Sequence, residues 1–315
     1  MTDTLYRNNL PQLADRAFLT DGGIETTLIF HEGIDLPLFA AYVLVEDSEG
    51  REALRHYYSR FIDIARISGT GIILESPTWR CSKGWGKQLG HDESAVALYN
   101  RDAIELLADL RRSADIDAPI VISGCIGPRG DGYSVEGRMT PDEAELYHRH
   151  QIDALAATEA DIVTAVTMTY AAEAVGIARA AKAAGIPVAI SFTLETDGHL
   201  PSGQPLSEAI REVDAQTGGA PAYYMINCAH PDHFADVLED DGSCWTARIR
   251  GLRANASRKS HAELDECDTL DEGDPDELGR DYALLKKRLP NLSVYGGCCG
   301  TDHRHVSAIA RNCCR

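Results

Sequence analysis

The sequence predicts one α/β domain folded as a single (β/α)₈ TIM-type barrel, and two observations carry this prediction. Short apolar, β-branched runs recur eight times and alternate with longer segments of helical periodicity that are rich in alanine, glutamate and arginine. No Ser/Gly-rich or Pro-rich linker interrupts the alternation, which favours one domain over residues 1–315 with a core at about 17–312. Roughly 250 residues or more is the length at which eight strand–helix units close into such a barrel.

The strand candidates end in turn-forming or polar residues, and they lie at 17–23, 71–78, 119–127, 161–169, 187–195, 222–230, 246–256 and 291–297. Helices are predicted at 93–113, 141–160, 171–185 and 207–217. The segment Thr140-Pro141-Asp142-Glu143 has the cap and the first-turn proline of a helix start. A doubly wound open sheet is the alternative, but no strand candidate is followed by G-x-G-x-x-G or G-x-x-x-x-G-K-[ST], the phosphate-binding loops that such sheets often carry.

Composition argues against several functional classes. The 49 acidic and 30 basic side chains give a formal charge of −19, so the surface should repel nucleic acid and anionic membranes. No apolar run approaches the roughly 20 residues of a membrane span, and the N-terminus lacks the basic and then apolar layout of a signal peptide. We therefore expect a cytoplasmic protein without nucleic-acid or membrane partners, and the sequence is compatible with a homo-oligomer.

Polar residues that close the apolar runs should converge on one mouth of a barrel. They comprise carboxylates, hydroxyls, amides and cysteines, namely Asp21, Glu75, Thr78, Thr167, Glu195, Asn227, Cys228, Asn255, Cys298 and Cys299. Nine cysteines is an odd number for a long, unsecreted chain. The count argues against a disulfide framework and for metal ligands, catalytic thiols or plain core cysteines.

Cys228 closes the sixth predicted strand, and Cys298 and Cys299 follow the eighth. Three thiolates with one vacant position are the ligand set of a catalytic zinc, whereas a structural zinc has a fourth protein ligand. Adjacent cysteines on a strand point to opposite faces, so this pair needs the backbone freedom that Gly296-Gly297 and Gly300 supply. The alternative is that these cysteines are small core hydrophobes.

Four motifs occur in order along the chain and together resemble the homocysteine S-methyltransferase family. They are Thr20-Asp21-Gly22-Gly23 after the first strand, Gly127-Pro128 after the third, Asn227-Cys228 after the sixth, and Gly296-Gly297-Cys298-Cys299-Gly300-Thr301 after the eighth. The resemblance runs from about residue 17 to residue 312, and the cysteine motifs are its most specific part.

The resemblance implies a (β/α)₈ barrel with Zn²⁺ on Cys228, Cys298 and Cys299 and the substrate thiol as fourth ligand. Zinc holds a thiol as thiolate at neutral pH, which supplies the nucleophile for methyl transfer. The implied enzyme is a thiol S-methyltransferase of methionine biosynthesis, with homocysteine as acceptor and methionine as product.

Contacts for the amino-acid end of the substrate are implied as well. Asp21 would meet its ammonium, and the backbone amides of Gly22 and of the loop near Ser76 would meet its carboxylate. A plain turn at Asp21-Gly22-Gly23 is the alternative. Further candidate contacts are polar residues that end other strands, namely Thr78, Asn227 and Asn255. Asn227 either binds substrate or orients the cysteine loop and satisfies buried backbone groups, and both readings stay open.

The chain departs from the family pattern at one position that bears on the substrate. Relatives that bind homocysteine end the fourth or fifth strand with a glutamate for the ammonium, and Thr167 stands there. A neutral hydroxyl gives up most of a charge-assisted hydrogen bond, on the order of 1 kcal/mol or more. Glu75 is the hypothesised replacement. The alternatives are a substrate other than homocysteine, or a Glu75 paired with a neighbour such as Arg80.

The methyl donor is inferred from chain length and one loop. A chain of this length has no room for the folate and cobalamin domains of the large methionine synthases, so a free donor must diffuse in. Residues 200–204 resemble the branch that uses S-methylmethionine or S-adenosylmethionine, which predicts a sulfonium donor. Trp79, Trp85 and Tyr170 are candidates to hold that cation, with plain packing as the alternative.

The remaining features are given structural interpretations. The acidic insertion at about 257–281 lacks the EF-hand register, so a solvated acidic loop and helix is expected. Cys313 and Cys314 are expected to be surface thiols, and four other cysteines to be structural: Cys81, Cys125, Cys244 and Cys267. Two alternatives to the leading function stay open: the same zinc chemistry on a different small thiol, and a non-catalytic protein that binds zinc and thiol.

Overall fold

The computed structural model describes residues 4–135, 137–239, 244–267 and 269–314. Within them eight parallel strands pair in chain order and β1 closes on β8, so the sheet is a closed barrel. The predicted barrel is confirmed, and each strand is shorter than its predicted range. The strands are β1 (Phe18–Leu19), β2 (Gly71–Glu75), β3 (Ile120–Ile126), β4 (Ile162–Met168), β5 (Val188–Thr193), β6 (Tyr223–Asn227), β7 (Ile249–Ala254) and β8 (Val294–Gly297).

Helices connect the strands on the outside of the barrel. The longer ones are Ser48–Ser68, Glu93–Ser113, Pro141–Ala156, Ala171–Ala184, Leu206–Thr217, Pro275–Leu285 and His303–Cys313, and shorter α-helical segments lie at Ile24–Thr26, Lys83–Gln88, Pro231–Phe234 and His261–Asp265. The four predicted helices are confirmed, and Thr140 forms a reciprocal capping box with Glu143. Among the described residues, no helix has the length and apolar character needed to cross a membrane.

The inside of the barrel is apolar at the end where the strands begin. Phe18, Ile162, Tyr223 and Val294 are the first residues of their strands, and they pack in one buried cluster. Leu10, from the segment that precedes β1, belongs to the same cluster. Because this end is filled by apolar side chains, the polar residues at the strand ends gather at the opposite mouth.

The cysteines outside the predicted metal site divide by burial. Cys81 and Cys125 are buried as expected of structural residues, whereas Cys244 is exposed and Cys267 is half-buried. Cys313 is buried and Cys314 is half-buried against the main core, so the prediction of two surface thiols is wrong. The helix His303–Cys313 continues the core up to its last residue, which is why this pair is covered.

Tyr282 braces the carboxyl ends of β7 and β8. Its hydroxyl donates to the carbonyl oxygen of Gly296 and accepts from the amide of Ala254, both at 2.7 Å. The amide of Cys298 in turn donates to the carbonyl of Ala254 at 2.9 Å. Tyr282 is fully buried, so water cannot replace these hydrogen bonds.

We expect the Tyr282→Phe substitution to lower the free energy of unfolding by about 2–3 kcal/mol, because it leaves two buried backbone groups without a partner. Tyr295→Phe is the matched control, since the buried Tyr295 makes one such bond, to the carbonyl of Leu292. The control should lose about 1 kcal/mol. Urea denaturation followed by circular dichroism measures both variants, and equal losses would contradict the bracing role.

Candidate metal centre and substrate cavity

A cavity of about 80 Å³ lies at the carboxyl ends of the strands. That space holds several water molecules and hence a small ligand. Most predicted site residues line it, namely Asp21, Gly22, Gly23, Glu75, Ser76, Thr167, Asn227, Cys228, Cys298 and Cys299. The lining formed by the described residues does not include two of the predicted contacts, Thr78 and Asn255.

Three cysteine sulfurs meet at the wall of this cavity. The Sγ atoms of Cys228, Cys298 and Cys299 all lie within 4.8 Å of one another. Thiolates in this arrangement fit a borderline-soft metal ion such as Zn²⁺. Within the described part of the chain, no histidine or carboxylate joins this group of three, so one coordination position is left for a ligand from outside.

Two of these cysteines can also pair with each other. The Sγ atoms of Cys228 and Cys298 are in direct disulfide contact, with Cα atoms 5.5 Å apart. Thiolates on one tetrahedral zinc lie about 3.8 Å apart, given Zn–S distances of about 2.3 Å. Metal binding therefore requires the reduced form of this pair.

Left-handed backbone conformations set the direction of two site residues. Cys228 has a φ of 53° and Thr167 has a φ of 62°, which place both in the left-handed region that residues other than glycine rarely adopt. Each such residue costs on the order of 1 kcal/mol or more, and the surrounding strands must hold it in place. Both residues line the cavity, so the strain is located at the candidate site.

The glycines around the cysteine pair act in two different ways. Gly300 has φ of 76° and supplies the backbone freedom predicted for it. Gly296 and Gly297 lie inside β8 and are not among the residues with positive φ, so the same prediction is wrong for them. They are needed for space, because an added Cβ would overlap the side chain of Thr20 or Thr301.

Asn227 holds the end of β4, which contains Thr167, beside the loop that begins at Cys228. Its Oδ1 accepts hydrogen bonds from the amide of Thr167 at 2.9 Å and from Ser191 Oγ at 2.6 Å. Its Nδ2 donates to Thr167 Oγ1 at 3.0 Å. Of the two roles considered for Asn227, these bonds favour the orienting one, and they also occupy the hydroxyl of Thr167.

Asp21 is a buried carboxyl group with a cation beside it. Its Oδ1 lies 2.8 Å from Arg253 Nη2, and its Oδ2 accepts from the hydroxyl of Tyr57 at 3.0 Å. Burial raises the pKa of Asp21, and the charge of Arg253 and the bond from Tyr57 oppose that rise. The carboxyl predicted to meet a substrate ammonium is therefore already shared with Arg253.

Two further carboxyl groups line the same cavity. Burial raises the pKa of Glu75 to about 7, and the charge that most opposes this rise is that of Arg253 rather than of the Arg80 considered from the sequence. Glu75 Oε2 is buried and has no hydrogen-bond partner among the described residues. Burial also raises the pKa of Glu25 to about 7, and the charge of Asp21 adds to the rise. Near neutral pH, a cationic ligand would stabilise the ionised form of these groups.

The polar groups of Ser76 and Thr78 are held by the protein itself. The amide of Ser76, predicted to meet a substrate carboxylate, donates to the carbonyl of Ser123 at 2.9 Å. Ser76 Oγ accepts from the amide of Cys125 at 2.9 Å and lies 2.6 Å from Thr78 Oγ1. Thr78 Oγ1 donates to the carbonyl of Cys125 at 2.7 Å, so Thr78 joins the ends of β2 and β3.

The aromatic residues predicted for donor binding contact protein groups. The guanidinium of Arg80 lies over the rings of Trp79 and Trp85, 4.1 and 3.6 Å from their centroids. The hydroxyl of Tyr170 accepts a hydrogen bond from a backbone amide at 3.1 Å. Of the three aromatic residues, Trp79 lines the cavity. Trp85 and Tyr170 thus contact protein groups, a guanidinium and a backbone amide, which favours the structural role for both.

Sequence reasoning missed several residues at the site. Arg253 and Glu25 line the cavity. A cation in the last two positions of strand β7, where the strand reaches the mouth of the barrel, was the available signal for Arg253. Tyr133 also lines it, with its hydroxyl 3.3 Å from Cys299 Sγ, and no pattern in the sequence indicates this contact.

The acidic insertion also reaches the site. His261, in the helix His261–Asp265, places Nε2 2.6 Å from the carbonyl oxygen of Cys228. Its ring packs against that of Tyr133, with centroids 4.1 Å apart and an angle of 31° between the ring planes. The expectation of a merely solvated loop and helix is therefore wrong for this part of the segment, which supports the cysteine loop.

Comparison with known proteins agrees with the sequence motifs. The chain matches the Homocysteine S-methyltransferase family over residues 18–313. Crystal structures of the homocysteine methyltransferase MmuM from Escherichia coli have the same fold at 20% sequence identity. The match to the oxidised form covers 96% of this chain and 97% of the MmuM chain, with a TM-score of 0.74. For the metallated form the match covers 95% of this chain and 96% of the MmuM chain, with a TM-score of 0.72. For the apo form these shares are 96% and 98%, with a TM-score of 0.67.

No curated protein matches the chain in sequence. The family match, however, covers the barrel from the first residue of β1 to the last residue of the helix His303–Cys313. It includes all three cysteines of the candidate metal centre and the Asp21-Gly22-Gly23 segment. The chain therefore belongs to the homocysteine S-methyltransferase family.

Proposed function

We propose that this protein is a zinc-dependent S-methyltransferase that moves a methyl group from a sulfonium donor, S-methylmethionine or S-adenosylmethionine, to the thiol of homocysteine, giving methionine. The observation that carries the proposal is the convergence of three cysteine sulfurs on a cavity that also contains carboxyl groups and a guanidinium. Sulfur activation and amino-acid recognition are then available within one small space. Its partners would be two small molecules, the thiol and the donor.

Cys228, Cys298 and Cys299 would hold the zinc, since their sulfurs lie within 4.8 Å of one another. When bound, zinc keeps the substrate sulfur deprotonated at neutral pH, where a free thiol with a pKa near 8.5 is mostly protonated. Tyr133 supports Cys299 from one side, and His261 fixes the backbone of Cys228 from the other. Such supporting contacts set the direction of metal ligands.

The transfer is a displacement at a methyl carbon. The acceptor sulfur forms the new S–C bond while the bond from the methyl carbon to the donor sulfur breaks. The electron pair of the broken bond stays with the donor, which leaves as a neutral thioether, and the thiol proton passes to solvent. The protein must hold the two sulfurs in line about the methyl group and exclude water from the cavity.

Glu75 is the group that we assign to the substrate ammonium. Asp21 is already shared with Arg253, and the hydroxyl of Thr167 is occupied by Asn227. Ser123 and Thr164 form hydrogen bonds with the carboxyl group of Glu75, but its Oε2 has no hydrogen-bond partner within the described residues. Among those residues, no cation lies against Glu75 as Arg253 lies against Asp21. An ammonium placed there would form a charge-assisted hydrogen bond with a buried carboxylate.

A second candidate function keeps the chemistry and changes the acceptor to another small thiol. Thr167 favours it, because this next-to-last residue of β4 offers a hydroxyl rather than a carboxylate to the cavity. A non-catalytic protein that binds zinc and thiol is the third candidate. Every one of these functions needs reduced cysteines, which fits our assignment of the protein to the cytoplasm.

We expect Cys298→Ala to lose most of the bound zinc and all measurable methyl transfer, because two remaining thiolates bind zinc much more weakly than three. Cys244→Ala is the control, since Cys244 is exposed and lies outside the cavity lining. Metal analysis by mass spectrometry and product detection measure the two effects. Full turnover by Cys298→Ala would reject the mechanism.

The same assay separates the candidate functions when donors and thiols are varied. We expect methionine from homocysteine with at least one of the two sulfonium donors. Methylation of another thiol in preference to homocysteine would favour the second candidate. Homocysteine binding without product from any sulfonium or ammonium donor would favour the non-catalytic one.

The pH dependence of homocysteine binding tests the assignment of Glu75. Because burial raises the pKa of Glu75 to about 7, the group is mostly neutral below that pH and mostly ionised above it. We expect Glu75→Gln to weaken binding roughly tenfold or more near pH 8.5 but only about twofold near pH 6. Calorimetric titration gives the dissociation constants of both proteins at each pH, and the ratio of the variant's constant to that of the wild type is compared. Ionisation of the thiol affects both constants equally and cancels in this ratio. A ratio independent of pH would contradict the assignment.

A further inference from the structure

We propose that Arg253 binds the carboxylate of the acceptor and thereby restricts the enzyme to thiols that carry one. This inference deepens the proposed function and rests on it. It names Arg253 as the residue that determines the class of acceptor. It also gives a role to the buried guanidinium near the end of β7, inside a cavity shared with the three cysteines.

The contacts of Arg253 leave one side of its guanidinium for a ligand. Nε donates to the carbonyl of Gly297 at 3.1 Å, and Nη2 donates to the carbonyl of Gly22 at 3.2 Å. Nη2 also lies 2.8 Å from Asp21 Oδ1. Nη1 makes no hydrogen bond and no ion pair with the described residues. A ligand carboxylate can therefore reach Nη1 without displacing a protein group.

The guanidinium stays charged although it is buried. Burial lowers the pKa of Arg253, but the carboxyl groups of Asp21 and Glu75 raise it by more, so that its pKa lies above the ordinary arginine value. A buried carboxylate ligand needs a cation or several hydrogen-bond donors to replace the water that it loses. Arg253 supplies both, since guanidinium and carboxylate have matching geometry.

One of the two backbone amides implied for this role is occupied. The amide of Ser76 donates to the carbonyl of Ser123 at 2.9 Å. The amide of Gly22 is the one that is left. One neutral donor is weak compensation for a buried carboxylate, so the cationic Arg253 carries this contact.

The charges around Arg253 match a zwitterion rather than a simple anion. Asp21, Glu25 and Glu75 line the same cavity, so a ligand with a carboxylate alone brings a further negative charge into an acidic site. An amino-acid thiol brings an ammonium for Glu75 together with a carboxylate for Arg253. The acceptor class is therefore a small thiol that carries both groups.

Three thiols that differ in one group each test the role of Arg253. Homocysteine has both groups, 4-mercaptobutanoate lacks the amine, and 3-mercaptopropylamine lacks the carboxylate. In zinc-loaded protein we expect Arg253→Met to weaken binding of the two carboxylate thiols roughly ten- to hundredfold. Binding of 3-mercaptopropylamine should change by less than about threefold. Calorimetric titration gives the dissociation constants, and KM and kcat for homocysteine complete the comparison.

Two further variants keep the test decisive. Arg253→Met leaves Asp21 without its cation, so Asp21→Asn/Arg253→Met restores charge balance and should fold even where the single variant does not. We expect the double variant to keep the selective loss for carboxylate thiols. Arg80→Met is the control for removal of a buried guanidinium near the mouth, and it should leave the carboxylate preference unchanged.

Two results would overturn the inference. An equal loss of affinity for all three thiols in Arg253→Met would make Arg253 a structural counter-ion. Homocysteine binding at the wild-type level in the double variant would lead to the same conclusion. Failure of the proposed function looks different. In that case the wild-type protein binds zinc and thiol but makes no methylated product, while the binding comparison between carboxylate and amine thiols still decides the role of Arg253.

Discussion

Closure of the barrel between β1 and β8 brings the ends of the eight strands to one mouth and so positions the candidate site. β1 has two residues in the ladder, and parallel pairing with β2 and β8 holds it in place. The amide of Gly297 donates to the carbonyl of Asp21 at 2.9 Å, which sets the end of β1 beside the cysteine pair. Since all strands run in one direction, residues far apart in sequence then meet at one mouth.

The packing of the apolar end of the barrel offsets the free-energy cost of the polar and strained groups at its mouth. The mouth contains a buried ion pair between Asp21 and Arg253, the buried carboxyl of Glu75, and left-handed backbone at Thr167 and Cys228. Each feature costs on the order of 1 kcal/mol or more without compensation. A closed ladder and a filled core can hold such groups, and a ligand that pairs with them would repay part of the cost.

Continuous patterns in the sequence were sufficient to predict the fold and the cluster of three cysteines at the mouth of the barrel. Burial of a strand is a property of adjacent residues, so the apolar runs predicted all eight strands in order. Cys228 at the end of one strand and the glycine-flanked pair Cys298-Cys299 at the end of another indicated shared ligation. Arg253 was missed because its importance depends on Asp21 and Glu75, which come from two other strands. His261 was missed for a similar reason, since a short helix in an acidic segment carries it to the carbonyl of Cys228.

In the proposed mechanism three cysteines hold a zinc ion with one position open to the acceptor thiol. X-ray absorption at the zinc edge counts these ligands in the reduced, zinc-loaded protein. We expect three sulfur ligands at about 2.3 Å without substrate and four after saturation with homocysteine. A sulfur count that does not change when homocysteine binds would contradict it.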